Sequence, residues 1–272
     1  MTPRPMRRLT SLMNMRGRKA LVTGGAGHIG LAIGEALVEL GARIAVLDRD
    51  PGDCETRARD LNRLRSGAAV PVACDLSDEG STRSAARKAQ RLLGGIDVLV
   101  HAAAYVGTTR HPGWAVPFAS QTTDAFELAL RVNLTAAFTL THELREVLAR
   151  SGHGSVILIG STYGVVGPDL GLYEGTTMAN PAGYGASKGG VIQLARHLST
   201  VLAPRVRVNS LSPGGVLRGQ PKAFVDRYER KTPLGRMASE EDFKGAVAYL
   251  ASDLSSYVTG QNLMVDGGWT SW

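Results

Sequence analysis

The 272-residue chain has little of what would set it apart from ordinary globular proteins. Two cysteines, Cys54 and Cys74, make neither a disulfide framework nor a metal-binding spacing, so a reducing cytoplasm is the expected setting. No apolar run approaches the roughly 20 residues of a membrane-crossing helix. The longest, 96–100 and 156–159, are strand-sized, and no membrane partner is expected. Internal repeats and low-complexity linkers are also missing, which argues against a solenoid or a string of modules. Excess charge is scarce outside one place. The formal net charge is +7, but residues 1–19 carry six basic side chains (Arg4, Arg7, Arg8, Arg16, Arg18, Lys19) and no acidic one. The other 253 residues hold 25 basic and 24 acidic groups, too balanced to track a phosphate backbone, so no nucleic-acid partner is expected. Residues 1–17 read as a basic tail and a solvated extension, with a subunit contact or a targeting peptide as alternatives. The tail lacks the apolar core of a secretory signal.

What is present is enough for a core, at 43% hydrophobic residues. From residue 18 to 272, strand and helix signals alternate over short connections. That pattern predicts one α/β domain: a doubly wound, Rossmann-like parallel sheet of seven strands with helices on both faces. Strands are expected at 20–23, 43–47, 70–74, 96–100, 155–159, 205–209 and 262–265. Six helices are expected near 29–40, 53–64, 78–93, 122–150, 184–202 and 239–251. The stretches 104–120, 160–183 and 213–236 are rich in glycine and proline, and the last reads as a mobile flap.

The turn after the first strand reads TGGAGHIG over 23–30, with Gly24, Gly27, His28, Ile29 and Gly30 opening the first helix. Backbone N–H groups and the helix dipole there favour a pyrophosphate, and the glycines let it approach. Position between the first strand and the first helix makes this far more specific than a lone glycine cluster. Asp48 follows 18 residues after Gly30, at the end of the second strand. A carboxylate there can hold the adenine-ribose hydroxyls and would repel a 2′-phosphate, which favours NAD over NADP; the adjacent Arg49 could instead hold that phosphate. Asp75, ending the third strand, fits either an adenine contact or a turn cap.

Of seven tyrosines only Tyr184 has a lysine four residues on, Lys188, which puts both on one face at a helix start. An ammonium beside a phenol stabilises the phenolate and is expected to lower the Tyr184 pKa, making the tyrosine a general acid or base. The strand upstream ends in Gly160-Ser161, a hydroxyl suited to a substrate oxygen.

Over residues 18–268 the sequence resembles the short-chain dehydrogenase/reductase family. The motifs that carry the likeness run in order: TGGAGHIG (23–30), Asp48, CDL (74–76), VNL (132–134), IGS (159–161), YGASK (184–188), NSLSPG (209–214) and TGQNLMVDGG (259–268). The resemblance implies an NAD(P)-dependent enzyme interconverting a secondary alcohol and a ketone. It implies Tyr184 as acid/base, Lys188 on the nicotinamide ribose, Ser161 orienting the reacting oxygen, and Asn133 kinking its helix and supporting a relay water. Leu76, Ala102, Ala103, Pro213, Gly214 and Val216 join the glycine turn, Asp48, Asp75, Tyr184 and Lys188 as expected cofactor contacts. A homotetramer or homodimer through the helices near 122–150 and 184–202 is likewise implied.

The sequence departs from the family pattern in four places. Gly24, Gly27 and Gly30 have the spacing of the sugar-nucleotide-modifying branch. His101-Ala102-Ala103-Ala104 replaces Asn-Asn-Ala-Gly. Gly215-Val216-Leu217 lacks the usual threonine after Pro213-Gly214. The 22 residues between Ser161 and Tyr184 exceed the usual number by roughly ten. The run GPDLGLYEGTTMANPAGYGASK (167–188) that contains most of this insertion, followed by SPGGVLRGQPKAF (212–224), resembles a subgroup of flagellin-modification and surface-polysaccharide sugar oxidoreductases. The expected cleft is accordingly polar, from Glu174, Thr176, Thr177, Asn180, Arg218 and Gln220, with Trp114 and Phe118 as an apolar wall. His28 and His101 have no metal-like spacing, and no metal is expected. Epimerase or dehydratase chemistry on the same scaffold, or a non-catalytic dinucleotide sensor, are the alternatives.

Overall fold

A computed structural model describes residues 6–106 and 109–272; Arg4 of the basic tail and Gly107 lie outside them. Seven strands form one parallel sheet in the order β3-β2-β1-β4-β5-β6-β7. They are β1 (Lys19–Thr23), β2 (Arg43–Asp48), β3 (Ala69–Ala73), β4 (Val98–His101), β5 (Gly154–Ile159), β6 (Val206–Pro213) and β7 (Asn262–Val265). The central strands β4 and β5 are buried at every position, which is why they read as continuous apolar runs. The strand order reverses between β1 and β4, and the crevice at their carboxyl ends is where an open parallel sheet takes a ligand.

Helices cover both faces, in agreement with the doubly wound expectation. On one side α2 (His28–Glu39), α3 (Pro51–Leu64) and α9 (Lys244–Ala251) pack Ile33, Leu37, Leu61 and Val247 onto Val22, Val46 and Val100. On the other, α4 (Glu79–Leu93), α5 (Thr123–Leu130), α6 (Ala136–Arg150) and α7 (Ala182–Val201) bury Ala86, Leu140, Leu144 and Val191 against Leu21, Leu99 and Leu158. Side-chain caps start three of these helices where the sequence supplies Asp50, Asp78 and Thr122. Gly94, at φ 72°, ends α4 in the left-handed conformation.

The long helix near 122–150 contains a π turn at Arg131–Thr135 centred on Asn133, the place where the resemblance implied a kink. Two sequence expectations are corrected. The presumed flap at 213–236 contains α8 (Lys222–Lys231), anchored by buried Phe224 and Tyr228. Its ten residues KAFVDRYERK are mostly charged, which hid the anchors. The tail from Arg7 onward is docked rather than solvated. Leu9–Met13 forms the short helix α1, Met15 is fully buried, and Arg7 and Arg18 both pair with Asp253 at 2.6 and 2.7 Å.

Candidate active site

The glycine turn is built by close approach. Gly24, at φ 64°, lies where a Cβ would sit 2.6 Å from the Ala103 amide nitrogen, and a Cβ on Gly30 would lie 1.9 Å from the Gly24 carbonyl oxygen. Only glycine lets the start of α2 pack this tightly under the loop that leaves β4. The first intrahelical bond of α2 runs from Leu31 N–H to the Gly27 carbonyl at 2.8 Å, so the N–H groups of His28, Ile29 and Gly30 precede the ladder. Gly27 has only the Gly24 carbonyl near its Cβ position, leaving its outer side open. These residues fit a pyrophosphate.

Asp48 is held at the end of β2 by two backbone donors, Ala26 N–H at 3.1 Å and Arg49 N–H at 2.8 Å. Both leave carboxylate capacity for a ribose. Asp75 is exposed and accepts from the Ser77 amide and hydroxyl at 2.9 and 2.8 Å, so it caps its own turn. Leu76 is buried in the core beneath it. Ala102 and Ala103 donate to the Thr23 carbonyl and hydroxyl, each at 3.2 Å.

His101, in the place of the usual asparagine, is completely buried between β1 and the π turn. Its Nε2 lies 3.2 Å from the Val132 carbonyl and its Nδ1 3.0 Å from the Thr23 hydroxyl. A carbonyl can only accept, so the network assigns the proton to Nε2, and Nδ1 accepts from Thr23. Burial and the nearby Lys188 charge hold the imidazole down at about 3, so it is neutral.

Ser161, Tyr184 and Lys188 converge at the carboxyl end of β5. Tyr184 and Lys188 share the first turns of α7, and the Lys188 Nζ stands 5.8 Å from the centre of the Tyr184 ring. The ammonium donates to the Ile159 carbonyl at 2.7 Å, and burial lowers it from 10.5 to about 7. Contrary to the expectation from spacing, the Tyr184 phenol is raised rather than lowered. Burial of the phenol is the largest cause, and the Tyr173 ring adds to it. The Ser161 hydroxyl and the Arg218 charge pull the other way without overcoming it. A desolvated lysine turned to a carbonyl gives the phenolate little support.

Asn133 is fully buried at the middle of the π turn. Its Oδ1 accepts from the Tyr105 amide at 2.6 Å, and its Nδ2 donates to the Ser187 hydroxyl at 2.9 Å. It therefore ties the loop after β4 to α7, one residue before Lys188.

The segment after β6 is tethered on both sides. Gly214 N–H bonds the Val265 carbonyl at 2.9 Å, and a Cβ on Gly214 would lie 2.8 Å from the Asp266 Cα. Gly215 N–H donates to the Tyr228 hydroxyl at 2.6 Å, and Val216 bridges to Ala238. Tyr228 was not legible as a site residue; it stacks on Trp269 at 5.7 Å, which in turn meets Tyr163 edge-on at 6.0 Å. The insertion closes this cluster. The Tyr163 and Tyr173 hydroxyls are 2.9 Å apart, and Asn180 donates to Tyr173 at 3.4 Å.

The expected polar cleft is thus partly spent on its own loop. Thr176 donates to the Tyr173 carbonyl, the Glu174 carbonyl accepts from Arg227, and Gln220 bonds the Val216 carbonyl. Trp114 is not a cleft wall. It is buried against Ala125 and Ala129, while Phe118 is 80% exposed. No cluster of metal-ligating side chains occurs among the described residues.

A family model described as Enoyl-(Acyl carrier protein) reductase matches residues 24–270. The 2-dehydro-3-deoxy-D-gluconate 5-dehydrogenase of Pseudoalteromonas atlantica is 34% identical over 268 residues, covering 94% of this chain and 97% of its own. The solved structure of a gluconate 5-dehydrogenase from Burkholderia cenocepacia in complex with NADP and tartrate superposes with a TM-score of 0.84 at 30% identity. That match covers 97% of this chain and all of the other, 100%. An NADPH-dependent 3-quinuclidinone reductase from Rhodotorula rubra gives 0.86 at 27% identity, over 100% of this chain and 98% of its own.

Proposed function

The chain belongs to the short-chain dehydrogenase/reductase family and is an NAD(P)-dependent oxidoreductase of alcohols and ketones, in which we propose that Tyr184 is the acid/base, Lys188 and Ser161 its partners, and a polyhydroxy compound the substrate. The observation that carries this reading is the convergence of these three side chains at the carboxyl end of β5. The nicotinamide, when bound, supplies or accepts the hydride. Ser161 donates its hydroxyl to the reacting oxygen and holds it beside the phenol. In reduction Tyr184 gives its proton to that oxygen; in oxidation it takes the alcohol proton. A phenol raised by burial is protonated at neutral pH, a ready donor for carbonyl reduction. Lys188 offers its ammonium to the ribose. Asn133 positions α7 through Ser187.

Asp48 supports NAD over NADP, since its carboxylate stands ready for ribose hydroxyls and opposes a 2′-phosphate. A sugar-like substrate is supported by the gluconate-type names among the relatives. The flagellin-modification or surface-polysaccharide branch rests on the sequence runs 167–188 and 212–224. A homotetramer or homodimer through α5–α6 and α7 is supported by the exposed Phe138 and Val201. No described helix is long and apolar enough to cross a membrane, which fits a cytoplasmic enzyme.

Tyr184→Phe tests the assignment. Turnover of a responsive polyol or sugar acid should fall by about a hundredfold to ten-thousandfold while titration with NADH still shows binding. Undiminished turnover would remove Tyr184 from the chemistry.

A further inference from the structure

Three side chains outside the Ser161–Tyr184–Lys188 set meet across the cleft. Glu240 opens the 3₁₀ turn Glu240–Phe243, and its Oε1 accepts from Arg218 Nε at 3.0 Å. The same oxygen lies 3.8 Å from Nδ1 of His28. His28 is the first residue of α2, and the Glu240 turn packs against that helix, so a carboxylate stands beside the helix terminus whose free N–H groups and dipole attract anions. Burial alone would raise the Glu240 acid, yet it is held below the ordinary carboxylate range. Its own backbone amide and the Arg218 guanidinium do this, with the charges of Arg218 and His28 adding to it.

Arg218 is only partly committed. Its Nε serves Glu240, its backbone amide donates to Gln220 at 2.6 Å, and its two amino groups have no hydrogen-bond partner among the described residues. A third of the side chain, 34%, is exposed. Its charge also reaches the Tyr184 phenol. Through Glu240, Arg218 is linked to His28 at the start of α2.

We propose that Arg218 is a ligand of the dinucleotide's pyrophosphate and that Glu240 is its stand-in counter-ion, holding the guanidinium when no pyrophosphate is bound and releasing it when one is. The proposal rests on the dinucleotide reading above and adds a residue and an exchange to it. A carboxylate and a pyrophosphate at one helix terminus repel each other, so binding displaces Glu240, and the cost is offset when Arg218 moves to the stronger anion. A guanidinium is suited to that move, because its planar fork can take two phosphate oxygens at once. The backbone need not shift. Leu217 N–H is bonded to the Ala238 carbonyl at 2.9 Å and the Gln220 side chain holds the Arg218 amide, so only the side chain swings. Glu240 is 31% exposed and returns to water when released.

The test compares ADP-ribose, which carries the pyrophosphate, with adenosine, which does not. Both are titrated into the full-length protein by calorimetry, adenosine by competition. Arg218→Met should weaken ADP-ribose about ten- to a hundredfold and leave adenosine within about twofold. Arg218→Lys should recover part of the loss. Glu240→Gln keeps the shape but removes the competing charge, and should tighten ADP-ribose about three- to tenfold. That gain cannot come from a damaged fold. ADP-ribose binding unchanged in Arg218→Met, or weakened in Glu240→Gln, overturns the exchange. A wild-type protein that binds neither ADP-ribose nor NAD(P) overturns the dinucleotide reading itself, a different failure.

Discussion

The Lys188 ammonium donates to the Ile159 carbonyl across 2.7 Å, from a residue only 2% exposed. The lysine is thus stored against the strand end that carries Ser161 two residues later. Because burial lowers its folded pKa from 10.5 to about 7, the unfolded chain binds more protons between those values. By linkage, stability rises with pH across that window, and the penalty of the buried charge is complete below it. Lys188→Met removes the penalty and forfeits the hydrogen bond. The stability of the variant relative to wild type should therefore be most favourable near pH 6.5. It should decline as pH climbs from 7 toward 10, by up to about 1.4 kcal/mol per pH unit. Urea unfolding at three pH values reads this directly, and a pH-independent difference would show that the lysine is not desolvated.

His101 gives the opposite limb. Its folded pKa is depressed to about 3 from 6.5, so below 6.5 the unfolded chain takes up a proton that the folded chain refuses. Stability contributed by the neutral imidazole is complete above pH 6.5 and is lost as pH falls through 6 and 5. His101→Asn deletes the titrating group and one of two hydrogen bonds. It should lower stability by about 1–3 kcal/mol at pH 8 and flatten the acid limb. Chemical denaturation at pH 8, 6 and 5 should show the two proteins converging toward acid. Parallel curves would place the imidazole in contact with solvent.

At the other end of the cleft, Asp48→Ser removes the carboxylate that opposes a 2′-phosphate and leaves Arg49, exposed beside it, free to receive one. The ratio of kcat/KM for NADP over NAD should rise at least about tenfold, chiefly through a lower KM for NADP. An unchanged ratio would mean that Asp48 serves only to hold Ala26 in the glycine turn.

Much of this was readable along the chain because it depends on local order. Strand-sized apolar runs, the TGGAGHIG turn between a strand and a helix, and a tyrosine and lysine one helical turn apart each need only a few neighbouring residues to be recognised. The strands came within a few residues of the structure, and Ser161, Tyr184 and Lys188 do meet. Contacts between distant segments were not readable. Nothing near Tyr228 announces that its hydroxyl takes the Gly215 amide, because the partner lies on another element and the surrounding helix is mostly charged. The same holds for the docking of Arg7 and Arg18 on Asp253, more than two hundred residues away. It holds too for Trp114, whose size suggested a cleft wall and whose neighbours bury it.

The sequence by itself determined the parallel sheet, the glycine turn between its first strand and helix, and the placing of Tyr184 and Lys188 on one helix face, because period and spacing encode local geometry. Only the tertiary structure decided the state of those side chains. Burial raises Tyr184 and lowers Lys188, and a carboxylate from a distant turn takes hold of Arg218. Desolvation and long-range pairing depend on what the rest of the chain packs around a residue, and that is written nowhere in its immediate neighbours.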